Sequence, residues 1–506
     1  MGNISLTTKE KKLSSLILAL TFAFVLFYNI FIQFLSPALY EGDSYYHVAV
    51  ANFIKNFGPR YEFRWAQFST FTNSFSDKDF LFHVFIIPFL YLTNNILLAA
   101  KLAVVFYNAL FLLVYAFIIR KYIPNLLAAC LLLYLIFSFN FSIYFLYLRP
   151  ATLANIFTIL GIYFLINKKW VKLFILSLLY PLAHISFFMI IVFAVVCEAV
   201  RYILTDEFFF KNIYFATIGS LLGCFLHPNY PHNWTSIYLN AYLVPLYSIK
   251  DIGFDFGGEL FSYSLKKAII DNFALFFTFN IVLWMLFIKR IKVSLSTLMW
   301  WGCTNVYMIF SFLSNRNWYT TNVLFFIFFA SYIKDWLSLK ERKEALSKIR
   351  ISIITYAFVF LLFIAFSYKE VTRSVRQMVT LSSSYERFGN WMKLHIPEGE
   401  TIYHSSWGDS PYFICLNPKN NYFVVLDPIY MFAYSPEKYK LYTDLKKGKI
   451  DKPSEVLSKT FKVKYGFVRQ KTKLSRLIKE DHTHFKVLYD DGWGIVFEVM
   501  NNEKKA

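Results

Sequence analysis

Long apolar runs, interrupted by short clusters of lysine and arginine, fill most of this chain. The first, from about Leu13 to Phe34, is long enough to cross a bilayer, for which roughly 20 apolar residues suffice. It is too long for a signal-peptide core and no small-residue cleavage site follows, so it reads as a retained span. Basic clusters fall at Lys9/Lys11/Lys12, Arg120/Lys121, Lys168/Lys169, Arg201 with Lys211, Lys289/Arg290/Lys292 and from Lys340 to Arg350. Placing all of them in the cytoplasm predicts spans near 13–36, 97–119, 125–147, 151–167, 171–186, 187–204, 210–226, 270–288, 295–313, 319–337 and 351–367, about eleven crossings. The amino terminus is then inside and the carboxyl-terminal tail outside. The run from Phe80 to Leu92 carries Pro88, is short for a span, and would invert every later cluster if it crossed alone. It reads as a re-entrant or tilted interfacial helix.

This pattern leaves a first outer loop at 36–79, a second at 227–263, and everything after Tyr368 on one face. The tail alternates strand-like runs (401–404, 422–426, 465–468, 485–488, 494–499) with helix-like ones (383–394, 436–446, 453–460, 473–480), the signature of a small α/β domain. The fold class expected is a polytopic α-helical membrane protein with an extracytoplasmic C-terminal α/β domain. The expected division is a membrane module over 1–368 and the tail domain over 369–506.

Composition sharpens this reading. The chain is 57% hydrophobic and 21% aromatic, more apolar surface than a soluble protein keeps from water. The formal net charge of +20 would suit nucleic acid, but the basic residues sit between apolar runs, where they fix orientation. No nucleic-acid partner is expected. Of five cysteines, only Cys415 lies in the tail, and no zinc-type spacing occurs.

The candidate chemistry gathers at the outer edge. Glu41, Asp43 and His47 follow the first span, in Tyr40-Glu41-Gly42-Asp43-Ser44-Tyr45-Tyr46-His47. The run from Ser44 to Phe57 has the pattern of an amphipathic helix lying on the outer membrane surface, with Asp43 either its N-cap or a chemical group. Asp77, Asp79 and His83 close the same loop, so folding it back brings acids and histidines to one depth. There they can act as base or metal ligands. Arg149, Arg316, Lys266 and Lys267 are outer-face cations. The two arginines suit phosphate oxygens, while snorkelling towards lipid head groups explains at least one lysine. His184 is either a packing histidine or a substrate contact.

The segment Gly42-Asp43-Ser44-Tyr45-Tyr46-His47, running on to Asn56-Phe57-Gly58, resembles the first-loop motif of the oligosaccharyltransferase branch of the GT-C glycosyltransferases. Many spans and an outer α/β tail are similar to that superfamily too. In the tail, Ser405-Ser406-Trp407-Gly408-Asp409 is a distant echo of the branch's acceptor motif, lacking its second tryptophan and its tyrosine-glycine pair. The resemblance implies an integral membrane enzyme of the bacterial cytoplasmic membrane, acting on the extracytoplasmic face. It implies a polyprenyl-phosphate or polyprenyl-pyrophosphate sugar donor and a lipid, glycan or protein acceptor. Asp43 would be the catalytic acid, assisted by Asp79, Asp77 or Glu41. His47, His83, Arg149, His184, Lys266, Lys267 and Arg316 would contact substrate, and Asp43 with Asp79 would hold any divalent cation, Mg2+ or Mn2+.

Two other classes compete. A polysaccharide polymerase or ligase of another membrane fold shares such substrates but carries its arginines in middle and late outer loops. A non-catalytic transporter of lipid-linked glycans places charges at mid-bilayer, whereas here they gather at the outer edge.

Overall fold

The computed structural model describes residues 8–59, 62–250, 254–288, 292–338 and 342–500. The basic clusters at 289–292 and 340–350 fall partly outside them. The chain divides into two compact units, one made of 1–36, 101–227 and 258–376, the other of 37–100, 228–257 and 377–506.

The first unit is helical. Among the described residues three helices are long and apolar enough to cross a membrane: 12–33, 96–119 and 185–205, the last beginning in a 3-10 turn. The helices Leu265–Asp271 and 273–286 pass together but bend by 88° between them. The expected span at 125–147 is broken, into Asn125–Ile136 and Phe139–Tyr144. Helices Trp170–Ala183 and Phe210–Phe225 pack very closely. A Cβ on Gly219 or Gly223 would lie 2.8 Å from the Phe174 carbonyl oxygen or 2.3 Å from that of Leu178. Two glycines four apart therefore permit this backbone approach. Buried ionic groups are matched locally. Lys101 Nζ donates to the Gln33 carbonyl at 2.9 Å and to that of Ser36, capping the end of Thr8–Gln33. Glu198 accepts from Arg201 Nε at 3.1 Å, Asn212 Nδ2 at 2.6 Å and the Phe209 N–H at 2.9 Å.

The second unit joins the first and second loops to the tail. Its sheet has the strand order β2-β1-β3-β5-β4, with β1 Thr401–His404, β2 Asn421–Tyr422, β3 Tyr465–Arg469, β4 Phe485–Asp490 and β5 Gly494–Val499. Pairing is parallel for β2/β1/β3 and antiparallel for β3/β5/β4. First-loop residues extend the sheet edge. The Gln67 and Phe68 N–H groups donate to the Tyr422 and Phe423 carbonyls at 2.7 and 2.8 Å, and Tyr422 N–H returns to Trp65 at 2.8 Å.

The expected strand 422–426 stops at Tyr422. Beyond it the Phe423 and Val424 N–H groups donate to His404 Nε2, at 3.1 and 3.4 Å, instead of to a neighbouring strand. The expected helices 351–367 and 383–394 are parts of one helix, Arg342–His395. No glycine or proline interrupts it before Gly389.

His404 is held neutral by its partners. Its Nδ1–H donates to the Ser406 carbonyl at 2.7 Å, and Nε2 already accepts from two backbone N–H groups. A proton there would face donors. Burial lowers its pKa below the ordinary value, only partly opposed by Asp409 and the Ser406 carbonyl. The unfolded chain therefore binds the proton more readily, so this contribution to stability is lost as pH falls through about 6.5 and below. We expect His404→Gln to be less stable than wild type at pH 7.5, with the gap in melting temperature closing between pH 7 and 5. A gap independent of pH would show that His404 does not titrate against folding.

Candidate functional site

The helix Gly42–Phe57 carries the first-loop motif. Its N-cap is Glu41, in extended conformation and making no side-chain cap hydrogen bond. Of the two readings left open for Asp43, the N-cap is not the one observed: Asp43 is the second residue of the helix, in the first turn. A carboxylate there is favoured by the helix dipole. The expected surface helix is also corrected. Ser44 to Ala51 are all buried, because the helix packs against both Phe80–Leu92 and Ser410–Leu416. Gly42 permits that approach, since a Cβ there would lie 2.8 Å from the Tyr412 ring. Tyr45 donates to Glu386 Oε1 at 2.8 Å and accepts from the Leu39 N–H at 3.2 Å, fixing the helix start.

The fold-back of the first loop is observed within this unit. Asp77 Oδ2 lies 2.7 Å from His83 Nδ1, and His83 Nε2 lies 2.8 Å from His47 Nδ1. With Asp77 ionised, His83 carries its proton on Nδ1, so its Nε2 accepts from His47 Nδ1–H. The three buried residues form one aligned chain. Asn229, in the second loop, accepts from the Asp77 N–H at 3.1 Å.

Asp79 is different. It occupies the N-cap position of Phe80–Leu92 without a side-chain cap hydrogen bond, is 1% exposed, and its Oδ1 has no hydrogen-bond partner among the described residues. Burial pushes its pKa up to about 6. Lys78, with Nζ 4.0 Å from Oδ2, and His83 pull it down, while Asp77 and Asp43 add like charge. Asp43 and Asp79 thus act on one another electrostatically. No group of three metal-ligating side chains occurs among the described residues. Two carboxylates, one with a buried oxygen lacking a partner, nevertheless fit a hard cation that keeps waters or substrate oxygens as its other ligands.

The arginines belong to the other unit and form their own cluster. Arg149, N-cap of Pro150–Ile166, donates from Nη1 to Glu259 Oε2 at 2.7 Å and lies over the Tyr144 and Tyr147 rings. Arg316 sits in the turn Asn315–Asn317. The Glu259 carboxyl is subject to burial, which raises its pKa, yet Arg149 and then Arg316 hold it below the usual range. Lys267 lies over Tyr263 at 4.2 Å, and Lys266 is exposed. His184 caps the turn Ile185–Phe188, accepting from the Ser186 N–H at 3.1 Å. In the tail, Asp409 is enclosed by Tyr385, Arg469 and the Ser406 N–H. That acid is used inside its own domain.

Sequence reasoning passed over Lys101 and Glu259. An ionisable residue inside an apolar run was the available signal for Lys101. An acid in an outer loop opposite two arginines was the one for Glu259.

We expect Asp77→Asn to disturb both imidazoles. An amide that accepts from the Asp79 N–H presents its NH2 to His83, so His83 must move its proton to Nε2 and His47 must follow. Ring 15N shifts should report tautomer exchange at both histidines, with stability reduced by about 1–3 kcal/mol. Unchanged ring shifts would exclude the aligned chain.

No family model and no curated protein matches the sequence. Solved structures do match the fold. ArnT from Cupriavidus metallidurans bound to undecaprenyl phosphate is 12% identical with a TM-score of 0.59, over 96% of this chain and 98% of that one. The Archaeoglobus fulgidus oligosaccharyltransferase tethered with an acceptor peptide containing the NVT sequon is 13% identical, TM-score 0.53, over 88% and 69%. The same enzyme in complex with zinc and sulfate is 12% identical, TM-score 0.51, over 89% and 68%. At such identity the likeness speaks to fold. The chain has the fold shared by these ArnT and oligosaccharyltransferase structures.

Proposed function

We propose that this chain is a membrane glycosyltransferase. It moves a sugar or glycan from a polyprenyl-phosphate or polyprenyl-pyrophosphate donor to a lipid, glycan or protein acceptor, on the extracytoplasmic face of a bacterial cytoplasmic membrane. The observation that carries the reading is the pair Asp43 and Asp79, two mutually repelling carboxylates of which Asp79 is buried with an unpartnered oxygen. Such an arrangement is costly unless it does chemistry or holds a cation. The fold and the undecaprenyl phosphate bound by ArnT support the donor class.

In this reading Asp43 takes the acceptor's proton as the acceptor oxygen or nitrogen bonds to the anomeric carbon. The bond from that carbon to the phosphate oxygen breaks, and its electron pair leaves with the lipid phosphate. Arg149 and Arg316, in the other unit, are proposed separately as contacts of the donor phosphate. Asp79 supports Asp43, and Glu41 is the N-cap residue before it. The Asp77–His83–His47 chain holds the helix bearing Asp43 in register, with His47 four residues on and therefore on the same helical face. A Mg2+ or Mn2+ ion would be held by Asp43 and Asp79 and, when bound, supplies positive charge to the reacting phosphate. Lys266, Lys267 and His184 are given no part in the step.

The test compares Asp43→Asn with wild type at equal expression. Because Asp43 is not the N-cap, the substitution should change stability by no more than about 1 kcal/mol, while sugar transfer from polyprenyl-phosphate donors falls ~100- to ~10,000-fold. Wild-type turnover in the variant would remove Asp43 from catalysis. For topology, a reporter fused after Lys369 should be active only outside the membrane, and one after Arg342 only in the cytoplasm. A cytoplasmic tail would refute the assigned face.

A further inference from the structure

The guanidinium cluster contains an acid that phosphate binding alone does not call for. Glu259 Oε2 accepts from Arg149 Nη1 at 2.7 Å and from the Tyr144 hydroxyl at 3.4 Å. Its side chain keeps 31% exposure. Its backbone is fastened to the loop that bears Arg316. Ser314 Oγ donates to the Glu259 carbonyl at 3.2 Å, the Asn315 N–H to that of Phe261 at 3.1 Å, and Asn315 Nδ2 to that of Gly258 at 3.4 Å. The carboxylate is therefore a built part of the cluster. Arg316 is half-buried and makes no hydrogen bond through its guanidinium among the described residues, so its donors remain open to a ligand. The nearby Lys267 is set against Asp271 and the Tyr263 ring.

Two guanidinium charges against one carboxylate leave a single net positive charge. We infer that Glu259 is a specificity-determining residue that selects a polyprenyl monophosphate donor over a pyrophosphate one. A sugar linked through one phosphate carries one negative charge, which the cluster matches. A pyrophosphate link carries two, and the second would meet the Glu259 carboxylate as a like charge. The inference rests on reading Arg149 and Arg316 as ligands of the donor phosphate. It adds to that reading a choice between two donors that the arginines alone would both accept.

The test measures equilibrium binding of the methyl esters of polyprenyl monophosphate and polyprenyl pyrophosphate, which carry one and two negative charges, at equal chain length, to the full-length protein in nanodiscs. Wild type should bind the monophosphate about ten-fold or more tightly than the pyrophosphate. Glu259→Gln, nearly isosteric but neutral, should narrow that ratio by about ten-fold, and Glu259→Asp should retain it. Equal affinity in wild type, or an unchanged ratio in Glu259→Gln, overturns the inference while leaving the donor site standing. If Arg316→Ala weakens neither lipid, the donor-site reading itself falls, and the inference with it. Binding is read without sugar transfer, so a failure of the glycosyltransferase reading shows separately as bound lipid with no turnover.

Discussion

An ionised side chain withdrawn from water is tolerated only when another charge or several hydrogen bonds replace its hydration. That constraint organises the polar interior of both units. Lys101 spends its ammonium on the open carbonyls ending the first helix. Glu198 gathers an arginine, an amide and a backbone N–H. Asp409 is enclosed by Tyr385, Arg469 and a turn N–H. Asp77 is met by His83 and by the Asp79 N–H. Against this background Asp79 stands out, because it is as buried as these groups and its Oδ1 is left without a partner.

The loops that carry the acids are shaped by the tail. Trp65 stacks on Phe53 with ring centres 3.6 Å apart, and the following residues pair with β2. Asn229 ties the second loop to Asp77, and Asn240 Nδ2 donates to the Tyr430 hydroxyl at 2.7 Å. Loop backbone would otherwise carry unsatisfied polar groups once buried. Joining the sheet satisfies them and gives the acids a rigid support, which catalytic geometry requires.

Much of this was legible in the residues, and the failures have definite causes. Apolar period and charge clusters located the helices closely, for example 96–119 and 295–313, because lipid and core both select apolar residues. Four of the five strands matched. The second ended early because the His404 imidazole replaced a neighbouring strand, a tertiary substitution invisible to strand pattern. The cap reading of Asp43 stood open because an acid before a helical run is often an N-cap; the helix begins two residues sooner, where Gly42 lets the Tyr412 ring approach. The pattern Tyr46, Val50, Phe53 and Phe57 is apolar on one face, but it did not reveal that two other helices cover the rest. The convergence of Asp77, His83 and His47 was anticipated from the loop's two ends. Their order, carboxylate to imidazole to imidazole, depends on side-chain directions that spacing alone does not supply. Glu259 was missed for the same reason: its partners lie far from it in sequence.

Asp77 and Asp79 are chemically identical and two residues apart, yet their surroundings give them separate tasks. Asp77 receives a backbone N–H and an imidazole proton, so its charge is already used in orienting His83 and, through it, His47. Asp79 has the Lys78 ammonium only at 4.0 Å, and burial together with the like charges of Asp77 and then Asp43 works against its ionisation. When environment separates two like acids in this way, the well-bonded one is the aligning group and the strained one is available to bind a cation or a proton. The candidate catalytic pair is therefore Asp43 with Asp79, and Asp77 belongs to the frame that holds them.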